Sequence, residues 1–395
     1  MIKMTNGERL DRMRKAMQAE SLDALVLRLP ENVLLLSGFW PMIGAATLLF
    51  PVDGSPLCVI PHCYESEAGS SLWDTEAAYY RYGVLDAPDP ALAVRGILAG
   101  STGARRWKRI GYEGNFEVIA SSWNSAETLA PAAHTRELYS AAFPQSELVD
   151  ASPLIKSQRR TKTAYEIDRF RRASEISSIG LEAFERAVQI GVSGVELAAE
   201  VERQVMVRGA GYSGATRVRA YAQVAVGPDE SAAGYRPNEI STLRRLQDGD
   251  VALLERGLVA DGYWADRTRV RVAGEARDEQ LKIFDTVRKA QEAGAAALRP
   301  GIRGADADEA ARSVIRDAGY GDSFPHITGH GLGFCYHESS PILGPASAEI
   351  LEENMLTSVE PGIYRKPFGG FRIEDDVLIT SGGSETLGPF RKVLC

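Results

Sequence analysis

The chain has 395 residues, 44% of them hydrophobic and 25% charged, with 45 basic against 53 acidic side chains and a net charge of −8. This length exceeds what one core usually supports, so two domains are expected, and the ordinary apolar and charged fractions exclude a disordered chain. A negative balance without a basic run excludes nucleic acid as the main partner, and no apolar run reaches the roughly 18 residues of a membrane span.

The N-terminal stretch MIKMTNGERLDRM lacks the apolar core of a signal peptide, and the four scattered cysteines (Cys58, Cys63, Cys335, Cys395) have neither zinc-site nor redox spacing. A cytoplasmic protein acting on a small ligand is the expectation. Thr5 to Glu8 has the form of a capping box, and Leu10, Met13 and Met17 follow at helical spacing, which predicts an opening helix. Asp23 to Leu29 reads as a buried strand. Ala45 to Phe50 and Leu57 to Ile60 repeat the pattern around the turn-forming Asp53-Gly54, so an α/β domain is predicted. Leu36-Ser37-Gly38-Phe39-Trp40-Pro41 reads as loop packing in preference to a binding lid. Residues 85 to 155 carry short apolar runs with Pro and Gly between them and no chemical motif. His62 and His134 stand alone and are read as structural.

Composition changes at Lys156 to Lys162, a basic connector, and a second capping box follows at Thr163 to Glu166. The helix it opens carries Ile167, Phe170, Ala173, Ile176 and Gly180 on one face. Another helix is predicted from Gly194 to about Arg208. A hairpin then runs from Val251 to Val270 through Ala260-Asp261-Gly262. A turn centred between Ala260 and Asp261 would place Glu255 opposite Asp266; a two-residue Asp261-Gly262 turn would put Gly257 there, with Glu255 as the diagonal neighbour. Either register sets two carboxylates side by side, which implies a bound cation, a shared proton or a catalytic task.

The stretch from Pro325 to Asp376 gathers His326, His330 and His337, three of the five histidines. It also carries Glu360 and Glu374 in apolar, strand-like surroundings, charges that a fold does not bury without a partner or a task.

The acidic hairpin, GHGLG, HE, EPGIY and GGFRIEDD, in that order, resemble the pita-bread hydrolases, which include methionine aminopeptidase, prolidase, aminopeptidase P and creatinase. The resemblance implies an α/β creatinase-type N-terminal domain (residues 1–155) and an α+β pita-bread catalytic domain (156–395). In the metallopeptidase members the positions matching Glu255, Asp266, His330, Glu360 and Glu374 hold two divalent metals. Two departures stand out: Glu255 replaces an Asp, and Gly234, within Gly227 to Pro237, replaces a His that works on the substrate. A longer arm disturbs a dinuclear centre, whose ligand distances tolerate only about 0.2 Å. Creatinase acts without metal, and among such hydrolases of small nitrogenous solutes the chain looks most like ectoine hydrolase.

That likeness implies opening of a cyclic amidine without metal or other cofactor, on a small zwitterionic substrate, in a homodimer. Phe39-Trp40 of one subunit would help to cover the other's site. Glu255 would be nucleophile or general base, assisted by Asp266, Glu360 and Glu374, with His330 and His337 moving the proton. Trp264, Tyr235 and Phe371 would offer aromatic faces to the substrate cation, and Arg372 would pair with a motif carboxylate. The alternatives are a metal-dependent Xaa-Pro dipeptidase or aminopeptidase, since Glu is itself a competent metal ligand, and a binding module without activity.

Overall fold

The computed structural model describes residues 5–42, 46–82, 89–115, 133–235 and 241–395. Their contacts separate into two compact units, Met1–Arg159 and Arg160–Cys395. The predicted strand residue Ala45 lies outside the described residues, as do Arg236 and Pro237.

In the first unit α1 (Gly7–Ala19) buries Leu10, Met13 and Met17. Its cap differs from the predicted box: the Asn6 side chain accepts from the Arg9 amide at 3.3 Å. Asn caps at least as well as Thr, so the helix starts one residue later than a Thr5 cap would require. β1 (Ala24–Leu27) is wholly buried. The sequence missed α2 (Pro30–Ser37), which opens on proline, where no amide donor is lost, and stops at Gly38 in the left-handed region (φ 74°). A Cβ on Gly38 would overlap the Trp73 indole at 2.2 Å, so glycine is needed there twice over. Phe39 is fully buried and meets the Tyr64 ring edge-on at 5.1 Å, as loop packing predicts.

The remaining elements of this unit are β2 (Thr47–Pro51), β3 (Leu57–Pro61), α3 (Glu65–Ser71), β4 (Glu76–Tyr80), α4 (Pro90–Gly100), β5 (Arg109–Tyr112), α5 (Ala133–Ala142), β6 (Glu147–Asp150) and α6 (Ser152–Arg160). The strands form one mixed sheet in the order β4-β3-β2-β1-β5-β6, with β2 antiparallel to both neighbours and the other pairs parallel. The predicted basic connector is mostly helix: α6 turns Leu154, Ile155 and Arg159 inward. A run of Lys and Arg is compatible with helix, and here the apolar spacing ahead of it decides.

The second unit opens with α7 (Ala164–Ala187) and α8 (Gly194–Gly209), each closed by a formed capping box, Thr163/Glu166 and Ser193/Glu196. All five predicted apolar-face residues of α7 are buried. Then come β7 (Val218–Val226), α9 (Gly227–Ala233), β8 (Val251–Ala260), β9 (Tyr263–Asp266), β10 (Arg269–Val272), α10 (Asp278–Ala297) and α11 (Gly304–Asp317). The chain ends with β11 (Gly329–Gly331), β12 (Glu338–Leu343), β13 (Leu356–Val359), β14 (Gly362–Arg365), β15 (Gly369–Arg372), β16 (Asp375–Thr380) and β17 (Gly383–Thr386). One antiparallel sheet runs β10-β8-β7 with β9 also paired to β8, a second runs β12-β11-β13-β16-β17, and β14 and β15 form a hairpin.

Alternation along β8 sorts the core. Ala252 and Leu254 pack under α7 and α8 with Leu181, Phe184, Leu197 and Val201. Val251 and Leu253 face Ile283 and Val287 of α10, with Ala311 and Ile315 of α11, Phe371 and Ile373 in the same cluster. Glu255 continues the Val251-Leu253 side, so the same period that builds this core brings a carboxylate to the inner face.

Candidate active site

The β8–β9 hairpin adopts the two-residue turn. Asp261 and Gly262 have φ of 50° and 90°, and Gly257 pairs with Asp266. Primed turns match strand twist, and Asp-Gly is a preferred pair for them. Glu255 and Asp266 therefore lie on one face. β11 adds His330; the end of β13 adds Glu360, whose amide donates to the Thr328 carbonyl at 2.7 Å; the join between β15 and β16 adds Glu374. Three overlapping groups each keep their donor atoms within 4.8 Å of one another: Asp266, His330 and His337; His330, Glu360 and Glu374; Glu255, Asp266 and Glu374.

The Glu374-Asp375-Asp376 run has three separate tasks, because neighbouring side chains leave a strand in opposite directions. Glu374 enters the site. Asp375 binds Arg267 at 2.9 Å and Arg269 at 2.6 Å. Asp376 accepts from the Asp266 amide at 2.9 Å and from the Ser174 hydroxyl at 2.6 Å, which fixes the end of β9.

The carboxylates divide into two kinds. Asp266 and Glu374 are fully buried; among the described residues both oxygens of Asp266 and Oε1 of Glu374 have no hydrogen-bond partner, while Oε2 of Glu374 lies 2.7 Å from Thr268 Oγ1. Burial and then the neighbouring carboxylates push both groups well above the usual carboxylate range. Glu360 is also raised, mainly by burial. Glu255 goes the other way: burial would raise it, but the Arg372 guanidinium, Thr268 and Tyr336 hold it down to about 2. Its Oε1 accepts from the Tyr336 hydroxyl at 2.8 Å, and its Oε2 takes Thr268 Oγ1 at 2.7 Å and an ion pair from Arg372. An anion so held is a weak base and a weak nucleophile, which runs against the role the sequence reading gave Glu255.

His330 presents its ring for ligation. Nδ1 lies 2.9 Å from the Gly331 carbonyl, which can only accept, so in the neutral ring Nε2 carries the lone pair. Nε2 sits 3.4 Å from Glu360 and 3.6 Å from Asp266. The His337 ring lies 4.4 Å from the His330 ring; burial lowers its pKa to about 4 and its Nδ1 has no partner. Both oxygens of buried Asp266 and one of buried Glu374, unpartnered beside a lone pair, are what a divalent cation resolves, and the oxygen and imidazole donors suit manganese, iron or zinc. The residues present thus fit a metal.

His326, also in the histidine-rich stretch, is taken up elsewhere. Its Nδ1 meets the Ile327 carbonyl at 2.8 Å and its Nε2 the Tyr364 hydroxyl at 2.9 Å, while that hydroxyl accepts from Arg372 at 2.7 Å. Burial, with Arg372 nearby, drops its pKa to about 3. The unfolded chain takes up a proton below about 6.5 that the folded ring refuses, so stability is lost as pH falls from about 6.5 toward 3. His326→Gln keeps an acceptor for Tyr364 and cannot titrate. The stability advantage of wild type over this variant should shrink by about 2 kcal/mol between about pH 7 and pH 5 in denaturant titrations; a pH-independent difference would show that His326 does not carry this linkage.

The aromatic candidates separate. Phe371 is fully buried in the core beneath the hairpin and does not face the site, a correction that strand alternation next to Arg372 explains. Trp264 stacks on Tyr221 at 5.7 Å and also borders Tyr336 at 5.6 Å. Tyr235 lies 5.2 Å from Tyr364. Sequence reasoning missed Thr268, Tyr336, Tyr364 and the buried Lys162. Lys162 Nζ holds Glu338 at 3.0 Å, whose other oxygen accepts from the Phe334 amide at 3.0 Å and braces the loop before His337. A hydroxyl two residues after Asp266 was the one local signal; the others are contacts across the fold. At Gly234 a Cβ would come within 2.8 Å of Leu253 and 3.0 Å of the Ser231 carbonyl, and its own carbonyl accepts from Arg372 at 3.1 Å.

Two helix pairs with antiparallel sheets, and a histidine and acids converging from separate segments, define a pita-bread hydrolase fold that follows the α/β unit in the chain. Residues 168–381 match metallopeptidase family M24 and residues 9–161 match the creatinase/prolidase N-terminal domain. The chain belongs to metallopeptidase family M24. It is 29% identical to a putative dipeptidase, YkvY, of Bacillus subtilis, over 98% of this chain and 99% of that one. It is 28% identical to a Xaa-Pro dipeptidase of Lactobacillus delbrueckii subsp. lactis, over 95% of each. The prolidase from Pyrococcus horikoshii superposes with a TM-score of 0.78 at 26% identity, covering 98% of this chain and 100% of the other.

Proposed function

We propose that the protein is a metal-dependent dipeptidase or aminopeptidase acting on Xaa-Pro bonds, the alternative of the sequence reading, in preference to a cyclic amidine hydrolase. The observation that carries this is the set of spare donors: both oxygens of Asp266, Oε1 of Glu374 and Nε2 of His330, facing one another in a buried space. The relatives reported above are described as dipeptidases and a prolidase, which supports the same choice. A substrate amidinium could also neutralise these acids, but Glu255, the proposed attacking group of that chemistry, is already held by Arg372 and Tyr336 and shares the Thr268 hydroxyl with Glu374.

In this reading Asp266, His330, Glu360 and Glu374 would hold the cation. When bound, it supplies Lewis acidity and lowers the pKa of a bound water. Glu360, steadied by Ser358 Oγ at 3.1 Å, is placed to take the proton of the attacking water. His337, neutral and beside His330, can donate to the carbonyl oxygen of the scissile bond as charge develops there. Arg372 spends its donors on Thr268, Tyr364, the Gly234 carbonyl and Glu255, so it positions these groups and leaves no fork for a substrate carboxylate.

Dialysis against a strong chelator should abolish hydrolysis of Xaa-Pro dipeptides, and added manganese, iron or zinc should restore it. Ring opening of cyclic amidines that survives the same dialysis, with no dipeptide cleaved under any metal, would overturn the proposal.

A further inference from the structure

The two halves of the acidic cluster are not equivalent. Around His330 the donors are unspent: Asp266 has two free oxygens and Glu374 has one, and Nε2 points between Asp266 and Glu360. Around Glu255 they are taken. Its Oε1 holds the Tyr336 hydroxyl, and its Oε2 holds Arg372 and shares the single Thr268 hydroxyl with Oε2 of Glu374. Arg372 is itself a fixed positive charge, with Nε 4.0 Å from Glu360 as well.

Tyr336 can reach this position because β8 carries a glycine below it: a Cβ on Gly257 would come within 2.8 Å of the Tyr336 ring. Trp264 and His337 border the same ring, at 5.6 and 4.3 Å between centroids. Two bordering rings and one missing Cβ thus place the Tyr336 hydroxyl on Glu255.

We propose that this site holds a single divalent cation, on Asp266, His330, Glu360 and Glu374, and that Tyr336 and Arg372 keep Glu255 as an anchored anion that does not ligate. This rests on the metal-dependent reading above. A second cation beside Glu255 would have to share its oxygens with the Tyr336 hydroxyl and lie against the Arg372 guanidinium. Like charge in a buried space opposes that arrangement. Glu255 instead neutralises Arg372, and Tyr336 is a positioning residue acting through Glu255.

The test is a cation count with no substrate present. Metal-free full-length protein is titrated with Mn2+ by calorimetry, and the loaded protein is examined by electron paramagnetic resonance. One Mn2+ per chain with the spectrum of an isolated ion is expected, and Tyr336→Phe, which frees Glu255 Oε1, should admit a second, weaker Mn2+. Two Mn2+ per wild-type chain, or an exchange-coupled spectrum, would overturn the single-cation inference whether or not dipeptides are cleaved. One Mn2+ in both proteins would remove Tyr336 from the account. No Mn2+ bound at all would overturn the inference and count against the metal-dependent reading, whereas one Mn2+ with no dipeptide cleaved would sink only the substrate assignment.

Discussion

Asp266→Asn should lower kcat/KM on a Xaa-Pro dipeptide by about a thousandfold or more and, at the same time, raise the melting temperature of the metal-free protein. Both effects follow from one geometry. Asp266 is wholly buried, neither of its oxygens has a hydrogen-bond partner, and carboxylates surround it. With a cation present it is a ligand, and an amide oxygen is a poorer one; a loss of about 10³ corresponds to about 4 kcal/mol of transition-state stabilisation. Without a cation its ionised form is a buried charge among like charges. Its pKa is raised on folding, so the folded state retains a proton that the unfolded chain releases, and stability falls as pH rises above the ordinary carboxylate range. The asparagine variant lacks that loss, so its advantage in the metal-free state should grow with pH. Calorimetric melts of both proteins after chelation, at several pH values, decide the second effect. A variant that melts lower than wild type at every pH would mean that Asp266 is not destabilising in the empty site.

Arg372→Met should destabilise the metal-free protein by about 3–5 kcal/mol, the usual consequence of leaving one partner of a buried ion pair uncompensated. Arg372 connects Glu255, Thr268, Tyr364 and the Gly234 carbonyl. Burial would lower its pKa, but Tyr364, Glu255 and the other acids around it raise it well above the ordinary arginine value. Removing it strands Glu255 with only the Thr268 and Tyr336 hydroxyls. Glu255→Gln in the same background removes the stranded charge, and the double variant should recover a large part of the loss. Additive single and double effects in urea unfolding would show that the two side chains are not energetically coupled.

Much of the architecture was legible along the chain because it depends on local periods. The apolar face of α7 from Ile167 to Gly180, the capping box at Thr163 and the alternation of β8 are each set by residues within a few positions of one another. The α/β character of the first unit follows from the same patterns, whereas the α+β character of the second was implied by the family resemblance. The approach of Glu255 to Asp266 also follows from local pattern, since both registers weighed for the hairpin put them on one face; the Asp261-Gly262 turn then selected one of the two. The helix Pro30–Ser37 was lost because its apolar run looks like the end of the preceding strand, and the basic segment before Lys162 because charge hid the apolar spacing of α6.

What the sequence could not supply was the pairing of charges across the fold. His326, His330 and His337 look alike in the chain, yet a carbonyl and a tyrosine hydroxyl neutralise the first, a carbonyl orients the second toward the acids, and the third is left beside it. Glu255 looked the most reactive of the acids because its side chain is one methylene longer than the expected Asp. The folded chain gives that methylene a different meaning, since Arg372, Thr268 and Tyr336 converge on Glu255 from other segments and leave both oxygens of Asp266 and one of Glu374 unsatisfied. Periodicity determines which face a side chain occupies; which donors reach it there, and hence its charge and chemistry, is decided only when distant segments pack.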